Sequence, residues 1–219
     1  MDSIKNRRTI RKYKAQDIPV DLLNDMLETS FRAATMGNMQ LYSVVLTFCA
    51  DFNRFSKWCR QRKAEPGYDN LLSFMNAMTD ALLVTQNFCT IAEDKGLGTC
   101  FLGTTIYNPH QIIEILNLPE LVIPVATITV GYPDESPAQP DRLPIKGIIH
   151  QEKYHDYTPE EIEDIFAYKE SLPENRHFVE INHTETLAQI FTDIRYRKAD
   201  NEAMSDLLKK TLKQQLFDK

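Results

Sequence analysis

Apolar positions along this chain alternate between helical and strand spacing, and the alternation predicts an α+β fold. Residues 19–34 open with Pro19 and Asp21, then place Leu22, Leu23, Met26, Leu27 and Phe31 on one helical face. Val44 to Cys49 is short, apolar and rich in β-branched residues, so it predicts a buried strand. A helix is expected over 52–62. Residues 69–95 are apolar on almost every side, which predicts a buried central helix stopped by Gly96. A strand over 99–102, a short helix from Pro109 to Leu116 and a strong strand over 121–130 follow. From Tyr157 onward the pattern is helical and charged, with 171–183 as a linker and 184–217 as a helical arm. The expected division is a domain over 1–170 and an arm over 171–219 that packs on a partner.

Composition narrows the function classes. A chain of 219 residues can build one sizeable core. Its formal net charge of -6 argues against a nucleic-acid binder, which needs a broad basic field. The longest apolar runs fall well short of the roughly 18 residues of a membrane span. No apolar stretch follows the N-terminal charges, so no signal peptide is expected. Cys49, Cys59, Cys89 and Cys100 show no metal-type spacing, which points to reduced thiols and a cytoplasmic location. Cys89 and Cys100 are expected in the core.

The charge is not evenly spread. Asn6-Arg7-Arg8-Thr9-Ile10-Arg11-Lys12 packs four cations into seven residues of an acidic protein. Guanidinium groups grip phosphate in a planar fork, so a small anionic ligand is the natural partner. A second cationic stop, Arg142, follows Pro133, Pro137 and Pro140. Familiar motifs are missing: Gly96-Leu97-Gly98 with Gly103 is not GxGxxG, no Walker lysine follows, and no GxSxG occurs. His150 and His155 sit five apart in a loop and do not make a metal pair. Glu160, Glu161 and Glu163 read as a solvated helix face, and Gly96 as a helix cap. Taken alone the basic cluster also suits a solvated patch. The residues by themselves stop at an α+β protein with an anionic-ligand site.

Five segments in order carry a resemblance. Arg7-Arg8-Thr9-Ile10-Arg11-Lys12-Tyr13 opens the chain, and Ala34-Thr35-Met36-Gly37-Asn38-Met39-Gln40 follows the first helix. Cys49-Ala50-Asp51-Phe52-Asn53-Arg54 comes next, then Asp80 to Asn87 with Gly96-Leu97-Gly98 and Leu102-Gly103. Val130-Gly131-Tyr132-Pro133, Arg142-Leu143-Pro144 and His150 to Tyr154 complete the set. Together they resemble the FMN-dependent nitroreductase family, in particular its oxygen-insensitive NADPH nitroreductase and flavin reductase branch. The resemblance implies a nitroreductase-like fold: a central mixed sheet flanked by helices, in an intertwined homodimer. It implies FMN as cofactor, NADPH or NADH as co-substrate, and nitroaromatics, quinones or flavins as electron acceptors. By the same resemblance Arg7, Arg8, Thr9 and Arg11 contact the flavin phosphate, ribityl chain and ring edge, and Arg142 is a second phosphate contact. Leu102, Gly103 and Thr104 lie over the ring. Met36, Gly37, Asn38 and Gln40 reach the flavin of the other subunit, although Asn38 and Gln40 also suit simple caps of the turn. Arg195, Arg197 and Lys198 are candidates for the nicotinamide dinucleotide's phosphate, and a charged arm helix accounts for them equally well.

One departure matters. Similar proteins place a helix and loop between Ser43 and the strand that follows, and here Ser43 runs directly into Val44. A strand-helix-strand crossover needs about 30 residues. Either Tyr42 to Cys49 is one continuous strand, or a strand has been lost. The missing stretch leaves two expectations open: a flavoenzyme, or a flavin-poor scaffold that keeps the fold.

Overall fold

The computed structural model describes residues 2–44 and 47–218. They form two compact units: residues to 139 together with 204 onward, and residues 140–203.

The first unit begins with a one-turn helix α1 (Asp2–Lys5) and then α2 (Val20–Ser30). Strands β1 (Tyr42–Val44) and β2 (Thr47–Asp51) come next, followed by α3 (Asn53–Gln61) and the long α4 (Leu71–Asp94). Strand β3 (Gly98–Leu102), α5 (Pro109–Leu116) and β4 (Val122–Gly131) complete the series. The central helix expected over 69–95 is therefore present. The Asn70 side chain caps it by accepting from Ser73 N at 2.9 Å, and Gly96 ends it with φ of +80°. Its buried face (Phe74, Ala77, Ala81, Val84, Phe88 and Ala92) packs on the sheet with Phe48, Ile123 and Ile128.

The sheet runs β1-β2-β4-β3, and its named strands all pair antiparallel. The expected mixed sheet is corrected to this extent: the parallel pairing seen is the isolated bridge Thr9↔Thr99. The continuous strand over Tyr42 to Cys49 is corrected too. Tyr42 pairs with Ala50, Ser43 with Cys49 and Val44 with Phe48, so the chain doubles back on itself. Val45 and Leu46 lie outside the described residues. Apolar β-branched patterning registers extended chain but not its direction, and 44–47 carries no glycine, proline, asparagine or aspartate to mark a turn.

The second unit contains α6 (Pro159–Ser171), α7 (Pro173–Ile181) and a single turn α8 (Leu187–Gln189) that runs into a π-helical turn at Ile190–Arg195. The linker expected over 171–183 is instead mostly α7, because Pro173 occupies its first turn, where the missing N–H costs nothing. The expected continuous arm is broken by the π turn. Its last helix, α9 (Lys198–Gln214), crosses into the first unit, where Leu212 and Phe217 join the core.

The N-terminal segment is fastened over two paired glycines. Gly98 and Gly131 are register partners, and a Cβ on Gly98 would lie 2.6 Å from Ile10 Cβ. A Cβ on Gly131 would lie 2.7 Å from Tyr13 Cδ1. Ile10 N donates to Thr99 O at 3.1 Å, and the Tyr13 hydroxyl donates to Ile10 O at 2.7 Å. Gly98→Ala should therefore cost about 1–3 kcal/mol of stability, because the base of a β-branched side chain has nowhere to go. Gly67→Ala, whose Cβ meets open space, should change stability by no more than about 0.5 kcal/mol. Denaturant midpoints of the two variants check the contrast; equal midpoints would refute the packing argument.

Candidate functional site

The basic segment is held mainly by the loop 133–139. Glu135 Oε1 accepts from Lys12 N at 2.9 Å and also from Arg11 N. The Arg8 guanidinium donates to Ser136 Oγ at 3.2 Å and Pro137 O at 3.0 Å. The Gln139 amide donates to Lys5 O at 2.6 Å. Arg7 turns the other way, pairing through Nε with Glu93 Oε1 at 3.3 Å, and Glu93 accepts from Thr99 Oγ1 at 3.0 Å. Thr9 is bridged to Thr99 of β3. Arg11 is exposed, and its guanidinium takes part in no ion pair or hydrogen bond among the described residues.

Leu102, Gly103 and Thr104 lie exposed at the end of that same strand. The Thr105 hydroxyl closes their turn: it donates to Leu102 O at 3.1 Å and accepts from Thr127 N at 3.1 Å. A Cβ on Gly103 would meet nothing, so the backbone there is open to close approach by a planar group.

Met36, Gly37, Asn38 and Gln40 are all exposed on a tight loop. Gly37 (φ 52°), Asn38 (φ 55°) and Gln40 (φ 52°) adopt left-handed backbone. That conformation costs on the order of 1 kcal/mol or more for each non-glycine residue. The offset comes from two charged side chains. Asp80 of α4, 1% exposed, accepts from Met36 N at 2.8 Å, Leu41 N at 3.2 Å and the Thr35 hydroxyl. Arg54 donates to Tyr42 O at 3.2 Å and to Gln40 O. Asp80 does carry a signal in the sequence: it is the only charge between Leu71 and Ile91. A charge inside an apolar helix is buried only when its hydrogen bonds are met. Glu93, Glu135 and Arg54 carried no comparable signal.

Arg142 lies in the second unit, exposed, donating to Asp141 O at 2.8 Å, while the Asp141 carboxylate pairs with Lys169 at 2.9 Å. Of the further cations, Arg195 sits 4.7 Å from the Phe178 ring centre, Arg197 pairs with Asp200 at 2.7 Å and Lys198 with Glu202 at 3.7 Å. His150 accepts His155 N at Nδ1 (3.3 Å), and its Nε2 lies 3.1 Å from the Tyr157 hydroxyl. All four cysteines are free and buried. Burial pushes the Cys49 thiol up to about 12 and the Cys89 thiol up to about 11, so neither is a nucleophile at neutral pH.

The donor set suits a phosphorylated planar cofactor: an unengaged guanidinium, an open glycine backbone and an exposed apolar strip at Phe101 and Leu102. The family model described as "Putative TM nitroreductase" matches residues 1–170. The chain belongs to the nitroreductase family. A crystal structure from Bacteroides fragilis, described as a putative oxidoreductase, is 59% identical, covers 100% of both chains and superposes with a TM-score of 0.98. A Cr(VI) reductase of Pseudomonas sp. (strain G-1) is 26% identical over 205 residues, covering 79% of this chain and 84% of its own. An NADPH-dependent oxidoreductase of Staphylococcus aureus is 26% identical over 201 residues, covering 78% and 80%. The protein is thus a nitroreductase-family oxidoreductase. The end-to-end match in Bacteroides fragilis means that a nitroreductase-fold chain of this length is not confined to this sequence.

The two glutamates around the basic segment titrate in opposite senses. Burial raises Glu93, against the lowering effects of Thr99 and Arg7. The backbone N–H groups of Arg11 and Lys12 lower Glu135. A raised carboxyl favours folding at low pH, and that contribution is lost as pH rises through the folded value. A lowered one contributes above the ordinary glutamate value and is lost as pH falls through the folded value. The stability of wild type relative to Glu93→Gln should therefore decline as pH rises across about 3 to 7, while that relative to Glu135→Gln should grow. Denaturant melts at several pH values measure both; parallel curves would contradict the assignment.

Proposed function

We propose that the protein is an FMN-dependent oxidoreductase that passes a hydride from NADPH or NADH, by way of FMN, to nitroaromatics, quinones or flavins. One observation carries this reading. Each of the three candidate segments of the first unit is fixed through its backbone by a neighbouring side chain. Glu135 holds 11–12, Asp80 and Arg54 hold 36–42, and Thr105 holds 102–105. Outward groups are left exposed for a ligand. Rigid support with unspent binding groups is the arrangement of a preorganised site.

Arg8 and Arg11, with Arg142 assigned by resemblance alone, would neutralise the phosphate, a task that suits guanidinium forks. Arg7 is already engaged by Glu93, so its part would be to fix the segment. Leu102, Gly103 and Thr104 would offer backbone to the ring face, and Met36, Gly37, Asn38 and Gln40 would approach the flavin held by a second subunit. Bound FMN supplies the hydride chemistry, so no acid–base dyad is required of the protein. That a Staphylococcus aureus relative is an NADPH-dependent oxidoreductase supports a nicotinamide electron source.

A homodimer belongs to the same proposal. Leu72, Met75, Leu82 and Leu83 follow one another along α4 with exposures of 71%, 45%, 39% and 42%. Such a stripe on a central helix suits a second copy as cover. Residues 171–203, rather than the whole region from 171, would form the exchanged arm, since Leu212 and Phe217 already belong to the first unit's core. Light scattering should give twice the 25.3 kDa chain mass, and Met75→Glu with Leu83→Glu should give the monomer. A wild-type monomer at micromolar concentration would end the dimer proposal.

Titration of the purified protein with FMN, followed by quenching of flavin fluorescence, tests the cofactor. Unquenched fluorescence at saturating protein would favour the flavin-poor scaffold that the short segment after Ser43 also suits. Arg11→Ala and Arg142→Ala should each remove a charge-assisted contact of about 1.5–3 kcal/mol. FMN should then bind on the order of 10- to 100-fold more weakly. Arg142→Lys should recover part of the loss, because an ammonium keeps the charge without the fork. Unchanged affinity in Arg142→Ala would place the phosphate elsewhere.

A further inference from the structure

The loop 35–42 is held by opposite charges acting on opposite kinds of backbone group. Asp80 rises from the middle of α4 and collects N–H groups from Met36 and Leu41 together with the Thr35 hydroxyl. Arg54 stands in the first turn of α3 and gathers the carbonyls of Gln40 and Tyr42. The two charges form no salt bridge with each other among the described residues; Arg54 instead lies 3.8 Å from Asp51. Thr35 ties the two ends together, since its hydroxyl both donates to Asp80 and accepts Gln40 N at 2.9 Å.

This is more fastening than a connecting loop needs. Three of four consecutive residues sit at positive φ, although only one of them is glycine, and such backbone persists only where the surroundings over-determine it. What is over-determined is a row of outward groups. Met36, Gly37, Asn38 and Gln40 are exposed, while Leu41, on the inner side, is fully buried. A buried carboxylate with no counter-charge among the described residues is a costly means of closing a turn, and an uncharged residue could end a helix-to-strand connection more cheaply. Its distinctive effect is to fix the direction of the peptide groups at 36 and 41, and thereby the side chains between them.

We infer that Asp80 and Arg54 are positioning residues for flavin binding. They hold the backbone of 36–41 in its bound shape before the ligand arrives, so that no ordering cost is met on association. The inference rests on the reading that 36–40 touches FMN. Neither residue contacts the ligand itself; each acts through the loop.

The experiment compares wild type with Asp80→Asn, Arg54→Ala, Arg54→Lys and the core variant Val84→Ala, which lies one turn beyond Asp80 and is fully buried. The probe is FMN, its Kd read from fluorescence quenching. Hydrogen exchange at Met36 and Leu41 is measured on protein without added flavin. Asp80→Asn keeps the shape but not the charge, and should raise the Kd about tenfold or more, with faster exchange at both amides. Arg54→Ala should raise the Kd similarly, and Arg54→Lys less, since one ammonium can still reach one carbonyl. Val84→Ala should lower the melting temperature with Kd and loop exchange unchanged. Should Asp80→Asn fail to fold, Arg54→Ala decides alone, because its side chain is half exposed and outside the core. A Kd in the folded clamp variants within twofold of wild type, or a Kd in Val84→Ala that rises with its destabilisation, would overturn the inference. Wild type that binds no FMN would overturn the functional reading beneath it, and the two failures are distinct.

Discussion

A single negative charge in an apolar helix governs much of this molecule. Helix α4 can fill the space against the sheet only because almost every side of it is apolar, yet Asp80 sits in its middle at 1% exposure. A carboxylate withdrawn from water must be given hydrogen-bond donors or it will not stay there. The fold meets that demand with the 35–41 loop, where the N–H groups of Met36 and Leu41 lie outside the loop's own 3-10 turn bonds and donate to the carboxylate. Burial of the charge and shape of the loop are two sides of one requirement. The exposed residues of the loop inherit a fixed geometry from a decision made inside the core.

The same device recurs at smaller cost. Glu135 on the peptides of 11–12 and Thr105 on the turn after β3 each spend one side chain to immobilise backbone that carries exposed groups. Exposed side chains of these segments are thus largely spared from structural duty. Arg7, committed to Glu93, and Arg8, which donates to Ser136 and Pro137, are exceptions, and they show how a cation that is obvious in sequence can be absorbed by structure. Two of the four thiols are pushed so far toward their neutral form that the chain's own sulfur stays out of redox exchange at those positions.

Much of the architecture was legible in the sequence, and the failures have physical causes. The central helix, α5 and β4 were found within a residue or two, because long periodic segments with a capping asparagine or a terminal glycine announce both pattern and limits. The reversal between β1 and β2 was not found, since period-two patterning is blind to strand direction. The linker expected over 171–183 is mostly helix, because the proline ring that breaks a helix interior starts a helix well at Pro173. At the site, the arginines were visible but their partners were not. Arg11 and Glu135 stand 124 residues apart, and nothing local in either says that they meet. Asp80 was the readable exception, a charge where periodicity allows none.

The clamp on the basic segment also fixes an order of assembly. Residues 7–12 are synthesised well before their fastenings on Glu135, Ser136, Pro137 and Gln139, which lie more than a hundred residues downstream. At about 5–20 residues per second, the ribosome makes the segment on the order of ten seconds before it makes the loop that holds it. Gly98 and Gly131, which receive Ile10 and Tyr13, arrive only with β3 and β4. The basic segment is therefore made well before it can be put in place, so its seating reports that the sheet beneath it is complete.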